Sequence, residues 1–173
     1  MVIFPEAIRV SRSLRRKLRK RNYTVSFDRC CRTVIERCAE HRGTGTGDTW
    51  LTAPMRSAYG RLHSAGLVHS VEVWFDNQLA GGLYGVCLGR IFFGESMFSR
   101  RPDASKIALV YLAGHLRQWG FPLIDCQVAS DHLRSMGATI IARSCFTRYL
   151  QQYASLRSPS GPWQPQWQYP RAA

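Results

Sequence analysis

Residues 68–98 read VHSVEVWF, DN, QLAGGLYGVCL, GR, IFFGESMF. Three runs rich in β-branched and aromatic residues are separated by two-residue breaks, and a break that short closes only a β-hairpin. The stretch therefore predicts an antiparallel meander of strands over 68–75, 78–88 and 91–98. The period changes after residue 98. Asp103 stands where a helix cap is expected, Ile107, Val110, Leu112, Ala113 and Leu116 recur at helical spacing, and Gly120 stops the run. FPLIDCQV (121–128) then reads as an apolar strand. A strand, a crossover helix and a second strand favour a parallel pair, so the chain is expected to be α+β, with a mixed sheet, an antiparallel meander, a parallel crossover and flanking helices.

Working outward, Ser11 is placed to cap a short helix with Leu14 and Leu18 on one side and arginines around the rest. Residues 23–27, YTVSF, alternate as a strand. Asp28 is read as the cap of a helix to about His41 that turns Cys31, Val34, Ile35 and Cys38 inward. RGTGTGDT (42–49) breaks regular structure. Pro54 suits the first turn of a helix burying Met55, Ala58, Tyr59 and Leu62, ended by Gly66. Beyond the crossover, a brief helix near His132–Met136, a strand near Thr139–Ala142 and a helix near Phe146–Tyr153 complete a domain over 1–155. Residues 156–173 form a Pro/Trp-rich tail, expected to be extended.

The length of 173 residues suits one domain, and 45% hydrophobic residues supply a core. No window offers the roughly 18 consecutive apolar residues of a membrane span, and the start MVIFPEAIRV is too short and too quickly basic for a signal peptide. A soluble, cytoplasmic monomer is expected. The charge is lopsided, with 24 Lys+Arg against 11 Asp+Glu, and eight of those 24 basic residues fall between Arg9 and Arg21. Arg12, Arg15, Arg16, Lys17, Arg19 and Lys20 on one helix concentrate positive potential and favour a polyanion through counterion release. Abundant Trp and Tyr direct the choice toward RNA, since bases stack on aromatic faces. The alternative is a solvated basic helix. Six cysteines show neither CxxC pairing nor zinc spacing, so they read as reduced core thiols and no metal or cofactor is expected.

The chemistry lies on two strands. Period 2 puts Glu95 and Met97 on one face of IFFGESMF and Gly94, Ser96 and Phe98 on the other, while Asp125 and Gln127 share a face of LIDCQ. If these strands are neighbours, Glu95, Asp125 and Gln127 converge on one site. A carboxylate on so apolar a strand is costly to bury unless paired. The competing reading is a strand-edge charge paired with an arginine.

The element order matches acyltransferase folds of the GNAT type, in which adjacent parallel strands splay apart. The strings VSRSLRR, DTWLT, HSVEVW, GGLYGV, FFGESMFSR, DASKIALV, LIDCQ and SMGA, in this order and spacing, closely resemble the leucyl/phenylalanyl-tRNA–protein transferases, from about Ile8 to Leu150. GESMFS and IDCQ are the most specific of them. The resemblance implies transfer of Leu or Phe from aminoacyl-tRNA to the α-amino group of proteins beginning with Arg or Lys. It implies a relay in which Asp125 accepts a hydrogen bond from the Gln127 amide and the amide oxygen faces the attacking amine, whether as general base or as orienting group. Glu95 would hold the cationic acceptor residue or support that relay. Leu83, Gly94, Met97, Leu109, Leu112, Leu116 and Ile124 would surround the Leu or Phe side chain, with ordinary core packing as the alternative for each. Trp50 would stack on the terminal adenine, the alternative being a packing anchor.

The resemblance also implies a further amino-terminal domain with a second aromatic at the adenine site. Met1 is expected to fall where that domain would end, leaving a shortened form, an incomplete reading of a longer gene, or a protein of altered tRNA use. Trp163 or Trp167 would be the substitutes. Two rivals remain. An acetyl-CoA N-acetyltransferase would need backbone N–H groups at a helix start, commonly from an Arg/Gln-x-x-Gly-x-Gly/Ala loop; SRRPDASK has no glycine, and Pro102 removes a donor. A non-catalytic tRNA- or RNA-binding remnant would keep the basic helix without activity.

Overall fold

The computed structural model of the chain describes residues 1–42, 50–159 and 161–170. Its centre is the expected meander: β3 (Val68–Phe75), β4 (Gln78–Leu88) and β5 (Ile91–Ser99). Asp76 and Asn77 both take positive φ, 51° and 59°, as a two-residue hairpin turn requires. β2 (Thr24–Phe27) adds to β3, and β6 (Leu123–Asp125) lies parallel to β5. A short strand that sequence pattern did not suggest, β1 (Val2–Ile3), pairs antiparallel with β6. The six-stranded mixed sheet runs β1-β6-β5-β4-β3-β2.

Helices cover both faces. α4 (Ala104–Gln118), the crossover, buries Ile107, Leu109, Leu112 and Leu116 against one side of the sheet, with Leu14 and Leu18 of α1 (Arg12–Lys20) in the same cluster. α2 (Cys31–Arg42) and α3 (Ala53–Ser64) pack on the other, where Val34, Ile35 and Tyr59 meet Tyr84 and Phe98. Strand alternation sorts the two cores, Leu83 belonging to the first and Tyr84 to the second. The first two glycines of GGLYG permit the contacts around them. A Cβ on Gly81 would lie 2.5 Å from the Ala104 Cβ at the start of α4, and one on Gly82 would lie 2.6 Å from the Val71 carbonyl. α5 (Asp131–Ser135) and α6 (Arg143–Tyr153) follow β6, and α6 covers Val2, Ile91 and Leu123 with Phe146, Tyr149 and Leu150.

The helix ends follow the predicted chemistry at several points. Ser11 Oγ accepts the Leu14 N–H at 3.2 Å. Gly66 and Gly120 sit at φ 73° and 72°. After each, the next residue's N–H reaches back to a carbonyl of the last turn, Leu67 to Leu62 and Phe121 to Leu116, closing a left-handed stop.

Other expectations are corrected. Asp28 does not cap α2: it takes φ 54° and its carboxylate accepts from His69 Nδ1, the Ser70 N–H and the Trp163 N–H. The buried Glu72 instead faces the amides of Arg29 and Cys30 at 3.4 and 3.5 Å. Burial holds its carboxyl above the usual carboxylate range, against the pull of the Ser26 and Ser70 hydroxyls. Asp103 does stand at the start of α4, but in a left-handed conformation and without a capping bond; its carboxylate pairs with Lys17 and Lys106. On α3, Tyr59 is buried, whereas Met55 is exposed and Ala58 and Leu62 are only partly covered. The strand expected over 121–128 is reduced to Leu123–Asp125, because Gln127 takes φ 59° and turns the chain away. That expected near Thr139 is a single bridge to Val2, and α6 begins at Arg143 rather than near Phe146. Of the glycine-rich stretch, 43–49 lies outside the described residues.

The segment after α6 is drawn onto the body. The Trp163 ring stacks on His69 at 3.8 Å and is 2% exposed. The Gln166 and Trp167 N–H groups both donate to His115 Nε2, at 2.7 and 2.9 Å.

Candidate active site

β5 and β6 pair only from Ile91 opposite Leu123 to Phe93 opposite Asp125. Beyond that point β5 continues to Ser99 while the other chain departs, and a cavity of about 170 Å³ opens where they part. A β-bulge shapes it. Tyr84 faces Ser96 but Gly85 faces Gly94, so Glu95 is the extra residue on β5. Regular alternation would divide Gly94, Glu95, Ser96 and Met97 between two faces; with the bulge all four line the cavity.

Leu83, Leu109, Leu112 and Ile124 stand in its apolar wall together with Tyr84, Phe92 and Leu133. Leu116 does not line it and is fully buried in the core beneath α4. Apolar cavities of about 150 Å³ take up benzene, so the space matches a Phe ring or a Leu side chain. Met97 suits a wall that meets both, being unbranched and polarizable.

The polar groups at the cavity come from four elements. The Glu95 carboxylate accepts the Tyr59 hydroxyl at 2.9 Å. Burial, then the neighbouring Glu95, pushes the Tyr59 phenol well above its usual range, so it stays a donor. Trp50 stands edge-on to Tyr59 with ring centroids 6.4 Å apart, outside the cavity and 42% exposed. Burial pushes the Cys126 thiol up to about 12, leaving no thiolate nucleophile on the wall. Ser96 and His132 also line the cavity, while the Ser96 hydroxyl and His132 Nε2 themselves are buried and without a hydrogen-bond partner among the described residues.

Asp125 and Gln127 come together, but differently from the expected relay. Asp125 Oδ1 accepts the backbone N–H of Gln127 at 2.8 Å, and the Gln127 side-chain amide donates instead to the Gly94 carbonyl at 3.3 Å. With Nε2 so engaged, Oε1 is the end the amide can offer to a donor. The two residues line a second, more polar cavity with Met1, Val2, Ile141, Arg143 and Phe146. Glu95 is therefore not in one pocket with them; the Gln127 amide, reaching across to Gly94, joins the two spaces. The left-handed turn at Gln127 and the bulge at Glu95 cause the departure, and neither leaves a mark in a period-2 reading. Tyr59, Ser96, Cys126 and His132 were missed as site residues. Only Tyr59 carried a signal, a hydroxyl on the apolar face of its helix.

On α1, Arg12, Arg15, Arg16, Arg19 and Lys20 are exposed, and Lys17 is tied to Asp103. Trp163 lies in the core and Trp167 packs half-buried against it; neither lines the cavity, and they supply no second aromatic beside Trp50. Among the described residues no group of three or more His, Cys, Asp or Glu is placed to hold a metal ion, and no helix is long and apolar enough to cross a membrane.

Comparison with known proteins gives the same outline. The chain is 55% identical over 163 residues to a leucyl/phenylalanyl-tRNA–protein transferase of Chromohalobacter salexigens, an alignment covering 94% of this chain and 63% of that protein. It is 55% identical over 154 residues to that of Methylococcus capsulatus, covering 89% and 65%, and 53% identical over 160 residues to that of Pseudomonas paraeruginosa, covering 92% and 70%. The chain thus spans a little under two thirds of the length of the first two. The profile described as leucyl/phenylalanyl-tRNA protein transferase matches residues 2–151, a span that holds the meander, the bulge, the crossover and every residue of the cavity. By this match and these identities the chain belongs to the leucyl/phenylalanyl-tRNA–protein transferase family.

Proposed function

We propose that the chain transfers Leu or Phe from aminoacyl-tRNA to the α-amino group of proteins beginning with Arg or Lys, as a cytoplasmic monomer on a GNAT-like acyltransferase fold. The carrying observation is the apolar cavity of about 170 Å³ opened by the parting of β5 and β6, with one carboxylate, Glu95, on its wall. The acyl side chain fills that cavity. The ester carbonyl is left near the Gly94–Gln127 bond, and the acceptor arrives from the side of Asp125.

An aminoacyl ester is already activated, so the enzyme needs to orient the amine and stabilise charge rather than supply a nucleophile. A protonated Cys126 fits that requirement. The amine attacks the ester carbonyl, the new C–N bond replaces the C–O bond to the ribose, and the proton lost by nitrogen ends on the ribose oxygen. Gln127, held by its own Nε2 on Gly94, turns Oε1 toward the amine as an orienting acceptor, and Asp125 fixes the turn that carries it. Glu95, fixed by Tyr59, sets negative charge beside the cationic acceptor residue. The exposed arginines of α1 take tRNA phosphates, and Trp50 beside Tyr59 offers a stacking face for the terminal base.

An acetyl-CoA reading is disfavoured at the start of α4. A cofactor pyrophosphate there would meet the Asp103 carboxylate and one missing N–H at Pro102. The test is direct: the purified chain, radiolabelled Phe-tRNA and a protein with amino-terminal Arg should yield labelled protein. Tight tRNA binding without label in the protein would leave an RNA-binding remnant.

A further inference from the structure

Val110, Gly114 and Arg117 recur at helical spacing on α4, on a face turned away from the one that gives Leu109 and Leu112 to the acyl cavity. They line a separate open groove of about 340 Å³, shared with α1, the amino-terminal residues and the segment after α6. Arg15 and Arg19 of α1 and Arg117 of α4 stand in its wall, all three exposed and without an ion pair among the described residues. Glu6 is the one acidic residue there. Two rings complete the wall: Trp167 and Tyr169, both half-buried, stand edge to face with centroids 6.2 Å apart. Their backbone is fixed. Besides the two N–H groups on His115, Arg21 donates from Nη2 to the Tyr169 carbonyl at 2.7 Å and from Nη1 to Gln168 Oε1 at 3.0 Å. Trp167 also rests on the bare backbone of Gly114, where a Cβ would overlap its ring. Both aromatics lie beyond the 2–151 span of the family profile.

Three guanidinium groups brought to one groove without carboxylates to pair them repel one another, and an anion with fork-shaped acceptors, a phosphate above all, relieves that. The aromatic wall asks for something more, a ligand with a flat face of its own. A duplex offers phosphates, but its bases are stacked on each other and closed to a protein ring, whereas an unpaired nucleotide offers both chemistries at once. We propose that this groove holds an unpaired nucleotide of an RNA chain, its base stacked on Tyr169 beside Trp167 and its phosphates among Arg15, Arg19 and Arg117. The groove and the acyl cavity lie on different faces of α4, so the nucleotide belongs to a part of the RNA away from the aminoacylated end. The inference deepens the tRNA reading of α1 and rests on it: the segment after α6 adds a base-stacking wall to a helix that by itself makes only phosphate contacts.

The test measures, by fluorescence anisotropy over a range of salt concentrations, the binding of the full chain to a short single-stranded RNA and to a blunt RNA duplex, neither carrying an amino acid. Tyr169→Ala should weaken single-strand binding about tenfold, equivalent to about 1.4 kcal/mol, with the salt slope and the duplex affinity unchanged. Tyr169→Phe should bind as the wild type does, and Tyr169→Leu as Tyr169→Ala does. Arg117→Gln should instead flatten the slope of log K against log salt by about 0.7. Single-strand and duplex affinities that Tyr169→Ala alters equally, or not at all, overturn the assignment. Full rescue by Tyr169→Leu overturns it too, since the ring would then only pack the segment in place. Adenosine monophosphate that displaces the single strand as readily as unlabelled RNA does assigns the groove to a free nucleotide and overturns the RNA reading of it. The stacking signature in a chain that transfers nothing supports the groove and overturns the transfer reading, whereas a transferring chain without that signature overturns the groove alone.

Discussion

Gly94→Leu should fill the acyl cavity from within. A Cβ at position 94 points across the gap to β6, 3.5 Å from the Asp125 carbonyl and 3.9 Å from Ile124 Cγ2, both ordinary contacts. Gly94 is not among the residues with positive φ, so a side chain can be carried there without backbone strain. The added isobutyl group is the size of the substrate's own leucine side chain, in a space of about 170 Å³ that holds one such group. Burying a Leu or Phe side chain contributes about 1.5–3 kcal/mol. Excluding it should therefore lower kcat/KM for phenylalanyl-tRNA by about 10- to 100-fold. Gly94→Ala, one methyl group, should lower it only a few-fold and affect Phe more than Leu. Overpacking of a cavity wall costs about 1–3 kcal/mol at most sites, and here the side chain enters empty space, so the melting temperature should stay within a few degrees. Transfer kinetics with both donors, beside thermal melts of each variant, decide the matter. A folded Gly94→Leu with undiminished kcat/KM for Phe and Leu would place the acyl group elsewhere.

Gln127→Ala should lower transfer at least about tenfold, one oriented polar interaction at the transition state being about 1.4 kcal/mol; Asp125→Asn, which keeps an oxygen for the Gln127 N–H, should cost less, and equal losses would restore a direct role for Asp125. Charge reversal at Arg15, Arg16 and Arg19 should weaken tRNA binding, each lost phosphate contact flattening the slope of log K against log salt by about 0.7 to 0.9, with the Leu-versus-Phe preference unchanged; an unaltered slope makes α1 a solvated face. Acid should release the segment after residue 160. Burial holds the His115 pKa below the usual histidine value, and its neutral Nε2 accepts two backbone N–H groups that imidazolium cannot accept. That stability is therefore present above about pH 6.5 and lost as pH falls through the lowered pKa. Proteolysis of that segment across pH 8 to 4 reads it, and uniform protection throughout would refute the role of His115.

The meander was legible because two-residue breaks admit one connection and alternating apolar runs admit one pairing. The crossover was legible because a helix of period 3.6 between two strands must return over a sheet face. α1 and its cap were equally plain, since Ser11, Leu14 and Leu18 act through neighbours within one turn. Six of the eight residues assigned to the substrate pocket or its rim line the cavity, carried there by the family resemblance rather than by periodicity. Leu116 and Trp50 differ, since a helix face or a loop does not reveal how far along it a cavity extends. Features that depend on groups distant in sequence were decided by packing alone. The bulge at Glu95 exists through its register with β4, and the turn at Gln127 accompanies the edge strand β1. Asp28 became a buried junction because donors from His69, Ser70 and Trp163 converge on its carboxylate, contacts that span 41 to 135 residues and that no reading of adjacent residues reveals. Local order follows from interactions a few residues long, whereas a site is defined by which surfaces fail to meet, and that depends on the packing of the whole sheet.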